Sequence, residues 1–243
     1  MLIRSISGVR GLVNTHLKPE DSVVYAKAMH KYLPDGVIVV GRDSRPSGDL
    51  ILESMCEELV LLGRTVIHCG IVPTPTVQFM VHSTEAVGGL VVTASHNPIE
   101  WNGFKFIRKD STFFHPKDCD KLFDIVDKDP IINPSQDPGM VWQEKNAIQK
   151  HLISCASLKC ISLNRIQRRK FKVVIDAING AGADALPSML QALGCDVVEL
   201  NCETNGDFTR GTEPLPENLK DLQKIVKTHK ADVGFAVDPD ADR

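Results

Sequence analysis

The last residues of the chain, Asp238-Pro239-Asp240-Ala241-Asp242-Arg243, alternate three carboxylates and close on an arginine. The stretch before them, Ala231 to Val237, reads as a buried strand. Carboxylates at a strand tip stand where open α/β sheets bind ligands. Like charges packed together repel unless a cation sits among them, and hard oxygen donors favour an ion such as Mg²⁺. A solvated acidic turn is the alternative. An EF-hand loop also opens on alternating carboxylates, but it needs Gly at its sixth position, where this chain has Arg243. With a strand on one side only, the loop is expected to be weakly anchored.

Thr93-Ala94-Ser95-His96-Asn97-Pro98 follows an apolar strand ending at Val92. Ser95 then lies in an irregular turn closed by Pro98. A nucleophilic hydroxyl needs exposure and a proton acceptor, and His96 is adjacent in sequence. The competing reading is a capped turn, with Ser95 and Asn97 bonded to nearby backbone. Asp238-Pro239-Asp240 is also similar to the nucleophile motif of haloacid-dehalogenase-type phosphatases, which usually carry Thr or Val where Asp242 stands.

Two basic segments are flanked by glycine. Ser7-Gly8-Val9-Arg10-Gly11 sets Arg10 where the backbone can approach a ligand closely. Gly41-Arg42-Asp43-Ser44-Arg45-Pro46-Ser47-Gly48 joins a strand to a helix, and a helix N-terminus favours anions. For Arg42, Asp43 and Arg45 the favoured reading is structural: they pair with one another and pin the loop.

The elements that must position these stretches alternate between strand and helix. Helices are expected over Pro19–Leu33, from Ser47 or Asp49 to Gly63, from Pro73 to Val81, over Glu144–Lys159, Ala183–Leu193 and Pro216–Lys227. Strands are expected over Gly36–Val40, Thr65–Cys69, Gly88–Thr93, Phe104–Ile107, Val173–Asp176, Asp196–Leu200 and Val233–Val237. The polar, proline-rich run from Asp127 to Gly139 reads as a linker or surface loop. The basic run Arg165 to Lys172 reads as a solvated approach to a strand. This alternation argues for an α/β chain with mostly parallel, helix-covered sheets.

The 243 residues suffice for two domains, and 42% hydrophobic content allows a sizeable core. A net charge of −3 gives no basic footprint for nucleic acid. Seven cysteines without a C-x-x-C pair suggest reduced thiols and a cytoplasmic protein. No signal peptide or membrane-length apolar run is read.

Taken together, Thr93-Ala94-Ser95-His96-Asn97-Pro98 with Asn102-Gly103-Phe104-Lys105 resembles the phosphoserine loop of the α-D-phosphohexomutases. That superfamily includes phosphoglucomutases, phosphomannomutases and phosphoglucosamine mutases. Arg10 in its Gly-Val-Arg-Gly setting, Gly41–Gly48, Val72-Pro73-Thr74-Pro75 and the acidic loop fall in the family's order. The resemblance implies two consecutive three-layer α/β/α domains with mixed, mostly parallel sheets. Domain I, with the phosphoserine loop, would cover 1–145. Domain II, truncated and ending at the metal loop, would cover 146–243, and domains III and IV would be absent.

It also implies roles. Ser95 would carry the transferable phosphoryl group. Asp238, Asp240 and Asp242 would hold one Mg²⁺, with an oxygen on Ser95 as a further ligand. Arg10 and Arg243 would contact the phosphate. Lys105 matches a proposed general base and His96 a residue of proton handling; Lys105 would need a lowered pKa, which a cationic, partly desolvated site could supply. The activity implied is an isomerase that moves phosphate between C1 and C6 of a hexose phosphate, with a hexose 1,6-bisphosphate as intermediate and activator. The chain alone is expected to be inactive. Its rivals are a non-catalytic Mg²⁺-binding half completed by a separate chain that supplies domains III and IV, and a Mg²⁺-dependent phosphatase. Pro239 and Ala241 replace the family's usual glycines. Proline fixes φ near −65° and alanine disfavours positive φ, so ordinary backbone angles are expected at both.

Overall fold

A computed structural model describes residues 2–243. Its first sheet has seven strands: β1 (Ile3–Ser5), β2 (Gly8–Leu12), β3 (Ile38–Arg42), β4 (Val66–Ile71), β5 (Gly88–Val92), β6 (Trp101–Arg108) and β7 (Val141–Gln143). Their order is β1-β2-β6-β5-β3-β4-β7. The β3–β4, β3–β5 and β4–β7 pairings are parallel. Those of β1–β2, β2–β6 and β5–β6 are antiparallel. The second sheet is parallel throughout, with β8 (Lys172–Asp176) between β9 (Asp196–Leu200) and β10 (Val233–Ala236).

Helices cover both faces of the first sheet. Successive strand residues point to opposite faces, and the core divides accordingly. Ile38, Val40, Leu90 and Val92 pack with Tyr25 and Met29 of α1 (Pro19–Tyr32), Met55 and Leu59 of α2 (Gly48–Leu61) and Leu122 of α4 (Pro116–Asp127). Val39, Val91 and Ile107 pack with Val77, Met80 and Val81 of α3 (Thr74–Ser83) and Ala147 of α5 (Ala147–Ala156). β5 is buried along its whole length, as a strand covered on both faces must be. The residues next to it, Thr93 to Asn97, are thereby launched from a strand buried along its whole length.

Several expectations need correction. β10 is not buried: Val233 and Phe235 are 36% and 49% exposed. The strand lies at a sheet edge, and α8 (Lys220–Thr228) covers only the face bearing Gly234, where an added Cβ would strike Val226 and Leu222. The run around Arg165 forms α6 (Leu163–Arg169), ended by Lys170 in the left-handed region at φ 47°. The helix expected from Pro216 breaks into a 3₁₀ turn, Pro216–Asn218, and α8. Ser47 precedes α2 but makes no cap bond, because its hydroxyl accepts from Asn102 Nδ2; Asp49 instead pairs with Arg42. The segments β1, β2, β7 and α4 went unread. Among the described residues the seven cysteines are all free, and no helix is long and apolar enough to cross a membrane.

Candidate active site

Ser95 is buried and held at φ 51°, a left-handed conformation that a residue with a Cβ resists by roughly 1–2 kcal/mol. A buried network fixes it there. The Ser95 amide donates to Thr93 Oγ1 at 2.8 Å, and that hydroxyl donates to Asp43 Oδ2 at 2.6 Å. Asp43 is paired with Arg45, and both are fully buried. Arg45 Nη2 then donates to the carbonyls of Ser95, at 2.9 Å, and Asn97. Asp43 and Arg45 pair with one another, as the structural reading expects, and reach beyond their own loop to pin the serine loop, whereas Arg42 pairs with Asp49. The reading of the turn as capped by its own side chains does not survive, because Ser95 Oγ and Asn97 Oδ1 both reach distant partners.

The acidic loop follows β10. Asp238 and Asp240 are fully buried. The loop is not tethered on one side only. The Thr74 amide donates to the Asp240 carbonyl at 2.9 Å, and the Ala181 amide to the Pro239 carbonyl at 2.8 Å. Asp176 accepts from Arg210 at 2.7 Å, and Arg210 also donates to the Val237 carbonyl at 2.8 Å. Ala241 lies at φ 51°, against the expectation of ordinary angles. That angle turns the following amides of Asp242 and Arg243 back to Asp238 Oδ1, at 3.2 and 3.3 Å.

The two loops meet. Ser95 Oγ donates to Asp238 Oδ2 at 2.9 Å across 143 residues of sequence. Asp238, Asp240 and Asp242 each bring a carboxylate oxygen within 4.8 Å of the others. Lys105 Nζ lies 2.7 Å from Asp240 Oδ2 and 2.5 Å from Asp242 Oδ2. Among the described residues no donor reaches the buried Asp240 Oδ1. Burial and the charges of Asp240 and Asp242 push Asp238 up to about 7. Burial opposes ionisation of Asp240 as well, but Lys105 outweighs it and holds that carboxyl below its ordinary value. Lys105 is raised: burial would lower it, yet its two carboxylate partners win. The lowered lysine pKa expected from a cationic site is therefore not found, because the side chain faces carboxylates.

Ser95, Lys105 and Asp242, but not the buried Asp238 and Asp240, line a cavity of about 430 Å³ together with Ile6, Ser7, Arg10, Phe113 and Arg243. Arg10 Nη1 donates to Asn97 Oδ1 at 3.0 Å, and Arg243 Nη1 pairs with Glu213 at 3.1 Å. His96 is absent from that lining. Its Nδ1 is buried without a partner, and burial, followed by the charge of Arg243, lowers its pKa. The Ser95 hydroxyl is bonded to Asp238, not to His96. Two residues with no assigned role hold the site: Thr74, whose hydroxyl bonds Asp240 Oδ2 at 2.5 Å, and Thr212, whose hydroxyl donates to the His96 carbonyl. Only the run Val72-Pro73-Thr74-Pro75 gave any sign of the first. Three hard carboxylates and a hydroxyl suit a small divalent cation, and the orphaned Asp240 oxygen leaves one ligand free for it.

Residues 2–131 match the family described as phosphoglucomutase/phosphomannomutase, alpha/beta/alpha domain I, and residues 149–243 match its alpha/beta/alpha domain II. A probable phosphoglucosamine mutase of Methanopyrus kandleri is 35% identical over 98% of this chain and 52% of its own length. A phosphoglucomutase/phosphomannomutase of Thermococcus kodakarensis is 35% identical over 97% of this chain and 53% of its own. A solved phosphoglucomutase/phosphomannomutase family protein from Burkholderia thailandensis superposes with a TM-score of 0.81 at 27% identity, covering 100% of this chain and 54% of that one. The chain spans about half the length of the curated relatives it matches.

Proposed function

Because the chain belongs to the phosphoglucomutase/phosphomannomutase family and comprises its domains I and II, we propose that it is the phosphoryl-carrying and metal-binding part of a phosphohexomutase. The observation that carries this is the 2.9 Å bond from Ser95 Oγ to Asp238 Oδ2, which joins a candidate phosphoryl carrier to a carboxylate cluster. Asp238, Asp240, Asp242 and an oxygen on Ser95 would hold Mg²⁺, which when bound supplies Lewis-acid stabilisation of the phosphoryl oxygens. The division near residue 145 belongs to this proposal.

The chain's own residues divide the remaining work. Transfer breaks the bond from phosphorus to Ser95 Oγ and forms one to a sugar oxygen, so Ser95 must be held in line, which the Asp43–Arg45–Thr93 network does. The charge that spreads over the phosphoryl oxygens needs preorganised donors. Arg10 and Arg243 face the cavity for that purpose. The sugar hydroxyl would give its proton to a base on the wall, and Ser95 Oγ, as the phosphoryl group leaves it, would take a proton back from that base's conjugate acid. Lys105, which lines that wall, is the proposed base, serving once its carboxylates are engaged elsewhere and no longer hold its pKa up.

The substrate is a hexose phosphate. The name of the Methanopyrus kandleri relative favours a glucosamine phosphate. Since the chain spans about half of its relatives, turnover is proposed to need further domains, in the same chain or another. The test is incubation of the chain with a hexose 1,6-bisphosphate and Mg²⁺, followed by intact and peptide mass spectrometry. One phosphoryl group on Ser95, lost in Ser95→Ala, is expected in the chain alone, and its passage to a hexose monophosphate is expected only when the further domains are supplied. Release of that group to water would favour the phosphatase reading, and no modification of Ser95 would refute the proposal.

A further inference from the structure

We propose that Thr74 is a positioning residue that aims the Asp240 carboxylate at the cation site from the other sheet unit. The inference rests on the metal-loop reading above and deepens it. Thr74 is fully buried at the first position of α3. The first amides of a helix have no partner within it. Here the Thr74 amide donates to the Asp240 carbonyl at 2.9 Å. The same residue's hydroxyl donates to Asp240 Oδ2 at 2.5 Å. One residue thus grips both the backbone and the side chain of a residue 166 positions later.

The grip has a direction. Asp240 Oδ2 receives two donors, Thr74 Oγ1 and Lys105 Nζ. Asp240 Oδ1, equally buried, receives none. A buried carboxylate oxygen without a donor is costly, so the arrangement is expected to persist only because something else can occupy Oδ1. With Oδ2 committed, the carboxylate cannot rotate without breaking the Thr74 bond, and Oδ1 is the oxygen left for an ion. Lys105 can leave when an ion takes over the negative charge. Thr74 is neutral and has no such reason to move, so it remains the fixed donor. Groups that orient a ligand in this way commonly change metal affinity 10- to 100-fold when removed.

Mn²⁺ binding, followed by electron paramagnetic resonance of the free ion, tests this in the whole 243-residue chain. Thr74→Val and Thr74→Ala are expected to weaken Mn²⁺ binding by about tenfold or more, while Thr74→Ser, which keeps the hydroxyl, stays within a few-fold of the parent. Equal affinity in all four proteins overturns the inference and leaves the metal reading standing. So does equal weakening in all three variants, which would mark a packing effect. A parent chain that binds no Mn²⁺ overturns the metal reading, and this one with it. Amide exchange needs no variant: Mn²⁺ is expected to slow exchange at the Thr74 amide, and unchanged exchange in the ion-bound chain also counts against the proposal.

Discussion

The serine loop and the acidic loop each carry a residue with a Cβ in the left-handed region, Ser95 and Ala241, both at φ 51°. They are held there differently. The serine loop leaves β5, buried along its length, and is fixed by Asp43, Arg45 and Thr93 of the same sheet unit. The acidic loop leaves β10, an edge strand with half its residues exposed; Ala181 and Arg210 of its own unit hold its backbone, while its carboxylates are gripped from the other unit by Thr74, Lys105 and Ser95. One half of the site is therefore built into its own core, and the other is shaped by docking. Strain at Ser95 is locked by buried charge, whereas the carboxylates depend on whichever cation is present.

That contrast can be broken from either side. Arg45→Met removes the buried partner of Asp43 and the donor to two loop carbonyls. Leaving a buried charge uncompensated costs about 3–5 kcal/mol, so urea unfolding is expected to show the largest loss here, unchanged by Mg²⁺. Lys105→Met strips the cation from Asp240 and Asp242. Its loss of about 3 kcal/mol is expected to shrink as Mg²⁺ is added, because an ion that binds only the folded chain stabilises it. A deficit insensitive to Mg²⁺ would contradict the view that the acidic loop takes its shape from its cation.

Proton linkage should also separate the loops. Asp238 is raised to about 7, first by burial and then by Asp240 and Asp242. The folded ion-free chain then binds more protons than the unfolded chain between the ordinary carboxylate value and 7. It is expected to lose stability as pH rises through that window. An ion must displace the Asp238 proton, so its affinity should fall about tenfold per pH unit below roughly 7, as calorimetry at several pH values can check. The smallest effect is Ala241→Gly. Glycine accepts positive φ, and relief of the strain should stabilise the chain by about 1 kcal/mol, read as a higher melting temperature. Ala94→Gly, in the serine loop, should show no such gain, since only Ser95 there has positive φ.

The chemistry-bearing residues were legible because carboxylates in alternation and a serine at a strand end have few cheap structural explanations. The pairing between them was not. That Ser95 Oγ would bond Asp238 and not its neighbour His96 follows from how two units dock, and spacing carries no trace of it. Thr74 is hidden for the same reason. The exposure of β10 is hidden in the sequence because an apolar run looks alike in a central strand and at an edge, and only strand pairing distinguishes them. Ala241 shows a tertiary demand overriding a local preference. The helix α4 carries a start signal, Pro116 and Asp118 after His115, in a segment to which the sequence-based expectations assign no element.

The most direct test of a shared cation site is anomalous diffraction from crystals of the chain soaked in Mn²⁺. The expected result is a single peak within coordination distance of one oxygen each from Asp238, Asp240, Asp242 and Ser95. A peak bound to the carboxylates but out of reach of Ser95, or no peak at that loop, would contradict the claim that the two loops form one site.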